Sequence, residues 1–269
     1  MKATYLLLLI GFIALPINSQ TAEEYLKNGN AKAENGDCYG AIADYTKAIE
    51  LKPDFAEAYL QRAKNRMIVK DYYNSIYDIN KAIELDYNGT ENVYFFRGNA
   101  KFSTGDYYGA IADYTSAIEL KTDKPGTYYN RGNAKGLLGD FKGAIADYTK
   151  AIELNPDFAK AYSHRGFAKF KTGDNYGAIA DCTKAIELNP DEPRTYFDRS
   201  NAKVNLKDYY GAIADCIKAI ELKPDFAEAY YLMGAIKGIL GDLNGACQDA
   251  RKAQQLGFDA TDVINIACN

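Results

Sequence analysis

Four stretches of this chain carry nearly the same pattern of apolar and polar positions: GAIADYTSAIEL at residues 109–120, GAIADYTKAIEL at 143–154, GAIADCTKAIEL at 177–188 and GAIADCIKAIEL at 211–222. Alanine, isoleucine, tyrosine or cysteine, alanine and isoleucine recur at three- and four-residue spacing, which lines them along one side of an α-helix. The stripe predicts buried packing, not a cofactor box, because it is copied throughout the chain. Each stretch is preceded by a second helical pattern of similar length. Gly-Asp or a related pair separates the two, and Asn-Pro or Lys-Pro commonly follows. Glycine at the break admits a left-handed backbone, and the aspartate after it is placed to cap the next helix, as Asp37 is in the first copy.

The whole unit repeats at a step of 34 residues, so the sequence predicts a repeat array, not a single globular core. Seven copies cover residues 22–55, 56–90, 91–124, 125–158, 159–192, 193–226 and 227–260, with a short helix over 261–269 expected to cap the open end. The second copy is irregular. Lys70 replaces the turn glycine, Ser75 a small alanine and Tyr87 the exit proline, and an extra residue around Asn88-Gly89-Thr90 is expected to loop out. That departure reads either as a local loosening that changes ligand fit or as neutral drift.

The two ends and the charge balance alter the picture in different ways. Lys2 precedes an apolar run over residues 6–15, followed by Pro16 and a polar segment, so residues 1–20 read as a signal peptide, with an uncleaved anchor as the alternative. The expected location is therefore exported, periplasmic or secreted, in a bacterium. No integral span is expected after cleavage. The net charge is −4 with both signs in every copy, which leaves no basic footprint for nucleic acid. Export gives the five cysteines meaning. Cys182 and Cys216 stand where other copies have Tyr45, Tyr114 and Tyr148, and are expected to be buried. Cys38 is a free thiol or a packed residue. Cys247 and Cys268 are a possible disulfide that would staple the last helix to the array.

The fourth copy, PGTYYNRGNAKGLLGDFKGAIADYTKAIELNPDF, carries Tyr128, Gly132, Phe141, Ala144, Ala151 and Pro156 in the order of the tetratricopeptide repeat, which it resembles, and the other copies match in register. The resemblance covers residues 22–260. It implies an all-α fold, a right-handed superhelical solenoid of about seven helix-turn-helix repeats with a C-terminal capping helix. First helices would line a concave groove and second helices the convex back. It also implies a protein-binding scaffold, although fold alone does not fix the ligand. The family's clamp for a C-terminal carboxylate places a lysine where Leu26, Leu60, Phe95 and Tyr129 stand here, so chaperone tails are not the expected ligand.

Two departures from the common repeat point to charge pairing. Arg62, Arg97, Arg131, Arg165 and Arg199 occupy one position, and Asp44, Asp78, Asp113, Asp147, Asp181, Asp215 and Asp249 another. At fixed offsets these predict either a ladder of ion pairs joining helices or independent solvated charges. By the resemblance, Asn30, Asn99, Asn133 and Asn201 are groove contacts, or else bond a neighbouring repeat. Lys64 and Phe167 take the same place in two other copies. Phe95, Phe96, Tyr129, Asn130, His164, Phe197, Asp198 and Tyr231 lie beside them, a mixture suited to an extended chain or an amphipathic helix.

His164, the only histidine, has neither a zinc-ligand pattern nor an identifiable nucleophile around it. The expectation is a noncatalytic scaffold without cofactor or metal, binding a protein or extended peptide in its groove. The alternative is a structural or self-associating adaptor of an envelope or secreted assembly that uses the convex face or the ends.

Overall fold

A computed structural model describes residues 20–85, 87, 90–120 and 124–268. The N-terminal apolar run and the residue expected to loop out around Asn88-Gly89 lie outside the described residues. The chain divides into two compact units, residues 1–88 and 89–269. Among the described residues every regular element is an α-helix.

The first unit holds two helix pairs, α1 (Ala22–Glu34) with α2 (Cys38–Leu51) and α3 (Ala56–Ile68) with α4 (Tyr72–Glu84). The second holds five: α5 (Thr90–Ser103) with α6 (Tyr107–Glu119), α7 (Pro125–Leu137) with α8 (Phe141–Leu154), α9 (Ala159–Lys171) with α10 (Asn175–Leu188), α11 (Pro193–Asn205) with α12 (Tyr209–Leu222), and α13 (Ala227–Ile239) with α14 (Leu243–Gln255). A short α15 (Thr261–Ala267) follows and packs on α13 and α14. Within each unit every helix packs on the next, as a stacked array requires.

The turn inside each pair is set by a local device. Asp37, Asp106, Asp140, Asp174, Asp208 and Asp242 each accept a hydrogen bond from the backbone N–H of a glycine three residues on, at 2.9–3.0 Å. In the second copy Asn74 replaces that glycine, and its side chain donates to Asp71, whose carboxylate makes no backbone cap. The residue before the aspartate is left-handed. It is usually glycine, but Lys70 and Lys207 adopt φ of 63° and 62° without one.

Close approach of the paired helices depends on a second device. The rings of Tyr45, Tyr114 and Tyr148 lie so near Gly29, Gly98 and Gly132 that an added Cβ would fall 2.6–2.7 Å from a ring carbon. Two copies without the ring also lack the glycine, Ala63 standing in the copy with Ile79 and Ser200 bonding Cys216 Sγ at 3.2 Å, whereas Gly166 remains tight, an added Cβ falling 2.8 Å from Cys182 Sγ. Cys182 and Cys216 are fully buried, and burial pushes their thiols up to about 12 and about 11. Both are packing residues.

The arginines and aspartates form ion pairs between the two helices of one repeat. Arg165 on α9 grips Asp181 on α10 with both arms of its fork, Nε to Oδ2 at 2.8 Å and Nη2 to Oδ1 at 2.7 Å. Arg62–Asp78, Arg97–Asp113, Arg131–Asp147 and Arg199–Asp215 repeat that geometry. The third arm reaches back one repeat. Arg62, Arg131, Arg165 and Arg199 donate Nη1–H to Thr46, Thr115, Thr149 and Thr183 at 3.0–3.1 Å.

The threonines are positioned for this. Thr46, Thr115 and Thr149 give their own hydroxyl protons to the carbonyl four residues earlier, which turns a lone pair toward the guanidinium. A second cation completes these five aspartates: Arg66, Lys101, Lys135, Lys169 and Lys203 stand 2.6–2.9 Å from Asp78, Asp113, Asp147, Asp181 and Asp215, while in the first and last copies, which lack the arginine, Lys32 and Lys237 lie 2.7 Å from Asp44 and Asp249. The solvent-facing pairs Lys47–Glu50, Lys81–Glu84, Lys150–Glu153, Lys184–Glu187 and Lys218–Glu221 are exposed and contribute little.

The array is closed at its C-terminal end by α15. Ala260 and Val263 are buried against α14, Tyr231 Oη donates to Asp262 Oδ2 at 2.8 Å, and Cys247 and Cys268 are joined by a disulfide across 21 residues.

Two tests follow from these arrangements. Asp181→Ala leaves Arg165 and Lys169 without their carboxylate and is expected to cost about 3–5 kcal/mol, whereas Thr149→Val removes the Arg165 link between repeats, together with the hydroxyl's bond to the Ile145 carbonyl, and costs about 1–2 kcal/mol. Denaturant melts of the two variants should keep that order; equal effects would refute the division of labour. Cys247→Ser opens a loop of 21 residues and should lower stability by about 3 kcal/mol, with faster amide exchange confined to α13–α15.

Candidate functional site

In the second unit, the faces of α7, α9 and α11 border a cavity of about 560 Å³. This falls in the usual range of ligand pockets. Tyr129, Asn133, His164, Phe167 and Asp198, all groove candidates from the sequence, line it together. Ala144 and Ala168, both buried, contribute to its floor, and Phe102, Phe141 and Tyr148 supply further aromatic wall. Phe141 meets Phe167 edge to face at 6.4 Å.

The polar groups of the cavity form a connected set. Asn133 Oδ1 accepts from Tyr148 Oη and from His164 Nδ1, both at 2.8 Å. Two donors on one oxygen fix the amide orientation and assign the histidine proton to Nδ1. His164 Nε2 is then an acceptor, with Tyr129 Oη 3.5 Å away and the two rings 5.2 Å apart. Although His164 meets solvent at the mouth, crowding by protein lowers its pKa, Lys160 adds to that effect and Glu192 opposes it. The ring is neutral at pH 7.

Asp198 lies deeper. Its side chain is only 8% exposed, and Arg194 Nε donates to its Oδ1 at 3.0 Å. Burial pushes the carboxyl up to about 6 against the pull of that arginine. Arg194 in turn lies over Phe197, 5.2 Å from the ring centre, and 6.0 Å from Phe167.

The other sequence candidates fall in different surroundings. Asn99 accepts from Tyr114 Oη and from Asn130 Nδ2, so Asn99 and Asn130 join neighbouring first helices. Phe95 and Phe96 meet edge to face at 5.6 Å on α5. Phe197 packs on Phe226, Asn201 donates to the Phe197 carbonyl of its own helix, and Tyr231 lies against Phe258 and bonds Asp262 of α15. In the first unit, Asn30 accepts from Tyr45 Oη, and Lys64 lies 3.5 Å from Gln61 Oε1 with its pKa lowered by burial. Three of the four repeated asparagines therefore hold a second-helix tyrosine. Among the described residues no cluster of histidine, cysteine, aspartate and glutamate is arranged to hold a metal ion, and no helix is long and apolar enough to cross a membrane.

Several cavity residues escape a reading based on what the copies share. Lys160, Ser163, Glu192 and Arg194 line the cavity, yet each stands where the copies differ. The available signal was the row of residues at one position across all seven copies.

Comparison with known proteins places this architecture in a family. The description "Tetratricopeptide repeat" matches residues 125–158, 159–192 and 193–226, and "TPR repeat" matches 15–64 and 98–139. The chain belongs to the tetratricopeptide repeat family, and is thus a repeat scaffold of the kind used in protein interaction. No curated protein sequence matches it significantly.

Among solved structures, MamA protein is 29% identical, with a TM-score of 0.59 over 63% of this chain and 92% of that one. The C-terminal part of a TPR repeat-containing protein from Cytophaga hutchinsonii is 20% identical, with a TM-score of 0.72 over 90% and 98%. YrrB, described as a TPR protein with an unusual peptide-binding site, is 23% identical, with a TM-score of 0.61 over 69% and 95%. At their identities the last two bear on the fold alone.

The Asp198 carboxyl gives the site a pH signature. Its folded pKa near 6 lies above the ordinary value near 3.9, so the folded chain binds a proton between those limits that the unfolded chain releases. The burden on stability is full above pH 6 and is relieved as pH falls through 6 toward 4. Asp198→Asn is expected to raise stability by on the order of 1–2 kcal/mol at pH 7, and the gain should shrink at pH 5. Thermal melts at the two pH values check this; a destabilised variant at pH 7 would contradict it.

Proposed function

We propose that this chain is an exported, noncatalytic scaffold that binds a protein or extended peptide on the concave face of its second unit. The observation that carries this reading is the cavity beneath His164. It combines aromatic walls with a few oriented polar groups, Asn133, His164 and Asp198, as recognition sites for peptide segments do. Asn133 Oδ1 is saturated by Tyr148 and His164, and its amide group lies beside Tyr129 at the cavity wall.

Export is supported by the apolar run over residues 6–15 and by the Cys247–Cys268 bond, which favours an oxidising compartment. A periplasmic or secreted location in a bacterium is the corresponding reading.

One observation favours the second reading, a self-associating adaptor. Tyr39, Tyr73, Tyr108, Tyr176 and Tyr210 occupy the same place in five copies, each 74–77% exposed at the start of a second helix. Repeated exposed tyrosines of this kind suit contact with another surface.

Photocrosslinkers placed one at a time separate the two. At Tyr129 or Phe167 the probe should capture a partner from the producing cells at about tenfold higher yield than at Lys150 or Lys184 on the opposite helices, whereas capture of a second copy at Tyr108, Tyr176 and Tyr210 alone would favour the adaptor.

A further inference from the structure

The fifth copy differs from its neighbours at two positions that act as a pair. In the fourth copy Tyr129, fifth in the repeat, packs on Phe158, the last residue, with ring centres 4.9 Å apart. Phe197 and Phe226 do the same in the sixth at 5.1 Å, and in the seventh, which ends on Ala260, Tyr231 meets Phe258 two residues earlier at 4.8 Å. The fifth copy has Ser163 and Glu192 at these places, and it is the one copy with no large apolar residue at either position. Both residues line the cavity, and Ser163 is turned aside into a hydrogen bond with Thr195 at 2.9 Å. Gly136, where Phe102 and Phe170 stand in the adjoining copies, enlarges the same space. The cavity is therefore the volume of a missing aromatic pair, flanked by complete pairs in the copies before and after it.

What the cavity offers in place of the pair is not purely apolar. Asp198 lines it with Oδ1 engaged by Arg194, while Oδ2 accepts nothing from the described residues although the side chain is more than nine-tenths buried. His164 Nε2 is a second acceptor, met by Tyr129 Oη only at 3.5 Å. An occupant must then present a flat apolar body to the rings and a donor to a buried acceptor. Aromatic side chains with a polar tip meet both demands, and aliphatic ones leave the acceptor unpaired.

We infer that the fifth copy receives one tyrosine or tryptophan side chain from an extended segment of the partner, which completes the aromatic ladder in place of Ser163 and Glu192. The inference rests on the groove reading above and names what that groove selects. The ring's O–H or N–H is given to Asp198 or His164.

The single histidine makes the test direct, because His164 contributes an isolated imidazole resonance. The full chain is titrated with N-acetyl-tyrosinamide, N-acetyl-tryptophanamide, N-acetyl-phenylalaninamide and N-acetyl-leucinamide. The first two are expected to shift that resonance by ring current and to bind about tenfold tighter than the leucine compound. Restoring the pair with Ser163→Phe and Glu192→Phe should abolish the shift without lowering the melting temperature. Asp198→Asn, which keeps the volume, should narrow the preference for the tyrosine over the phenylalanine compound and serves if the filled variant does not fold.

Equal affinity for all four compounds, or an undiminished shift in the filled variant, overturns the inference. The groove reading fails differently, by absence of crosslinks at Tyr129 and Phe167 in the native chain. Should a partner still crosslink there in the filled variant with unchanged yield, the groove stands and the aromatic receptor falls.

Discussion

A partly buried guanidinium governs how these helices assemble. Arg131, Arg165 and Arg199 each hold an aspartate of their own repeat with two arms and a threonine of the preceding repeat with the third. Each also lies over a tyrosine three residues earlier, at 5.5–5.7 Å from the ring centre. Arginine is suited to this because its fork is planar, permanently charged and less strongly hydrated than an ammonium group. Desolvation of the charges offsets much of the attraction, so the ladder's contribution is better regarded as register than as net stability. A carboxylate with two cations around it admits one relative height of the two helices.

The end copies reveal what the ladder is for. The first copy has Asn28 and the last Met233 in place of the arginine, and Ile217 stands in the sixth copy where a threonine would receive the last copy's arginine. Both residues of the inter-repeat link have become apolar together. At the seventh copy a different restraint takes over, the disulfide-tied α15. Helix ends and turns are meanwhile specified locally, through the Asp-to-glycine caps and left-handed residues, and owe nothing to neighbouring repeats.

Much of this was legible in the sequence because repetition multiplies weak signals. Arginine and aspartate at fixed offsets predicted ion pairing, and Cys182 and Cys216 in the place of tyrosines predicted burial. The threonine link was less visible, since a threonine in a helix has many ordinary uses. The asparagines illustrate the opposite limit. Asn30, Asn99 and Asn133 recur at a groove position, but recurrence also fits their attachment to Tyr45, Tyr114 and Tyr148. A residue shared by all copies is poor evidence of specificity, because specificity resides where one copy departs from the rest. Ser163 and Glu192 are such departures, separated by 29 residues and joined only by the aromatic contact that their neighbours retain.

The direction of the arginine's third arm has an evolutionary corollary. The fourth and fifth repeats each present an arginine toward the preceding copy and a threonine toward the following one, Arg131 with Thr149 and Arg165 with Thr183, so each carries both halves of its own coupling. Duplication of such a copy inserts a module that already fits its neighbours, and deletion reseals the array without a mismatch. Copy number is thereby free to drift while the joint chemistry stays constant. The fifth copy is the exception, because overwriting it with a neighbour's sequence would heal the array and erase its cavity in the same event.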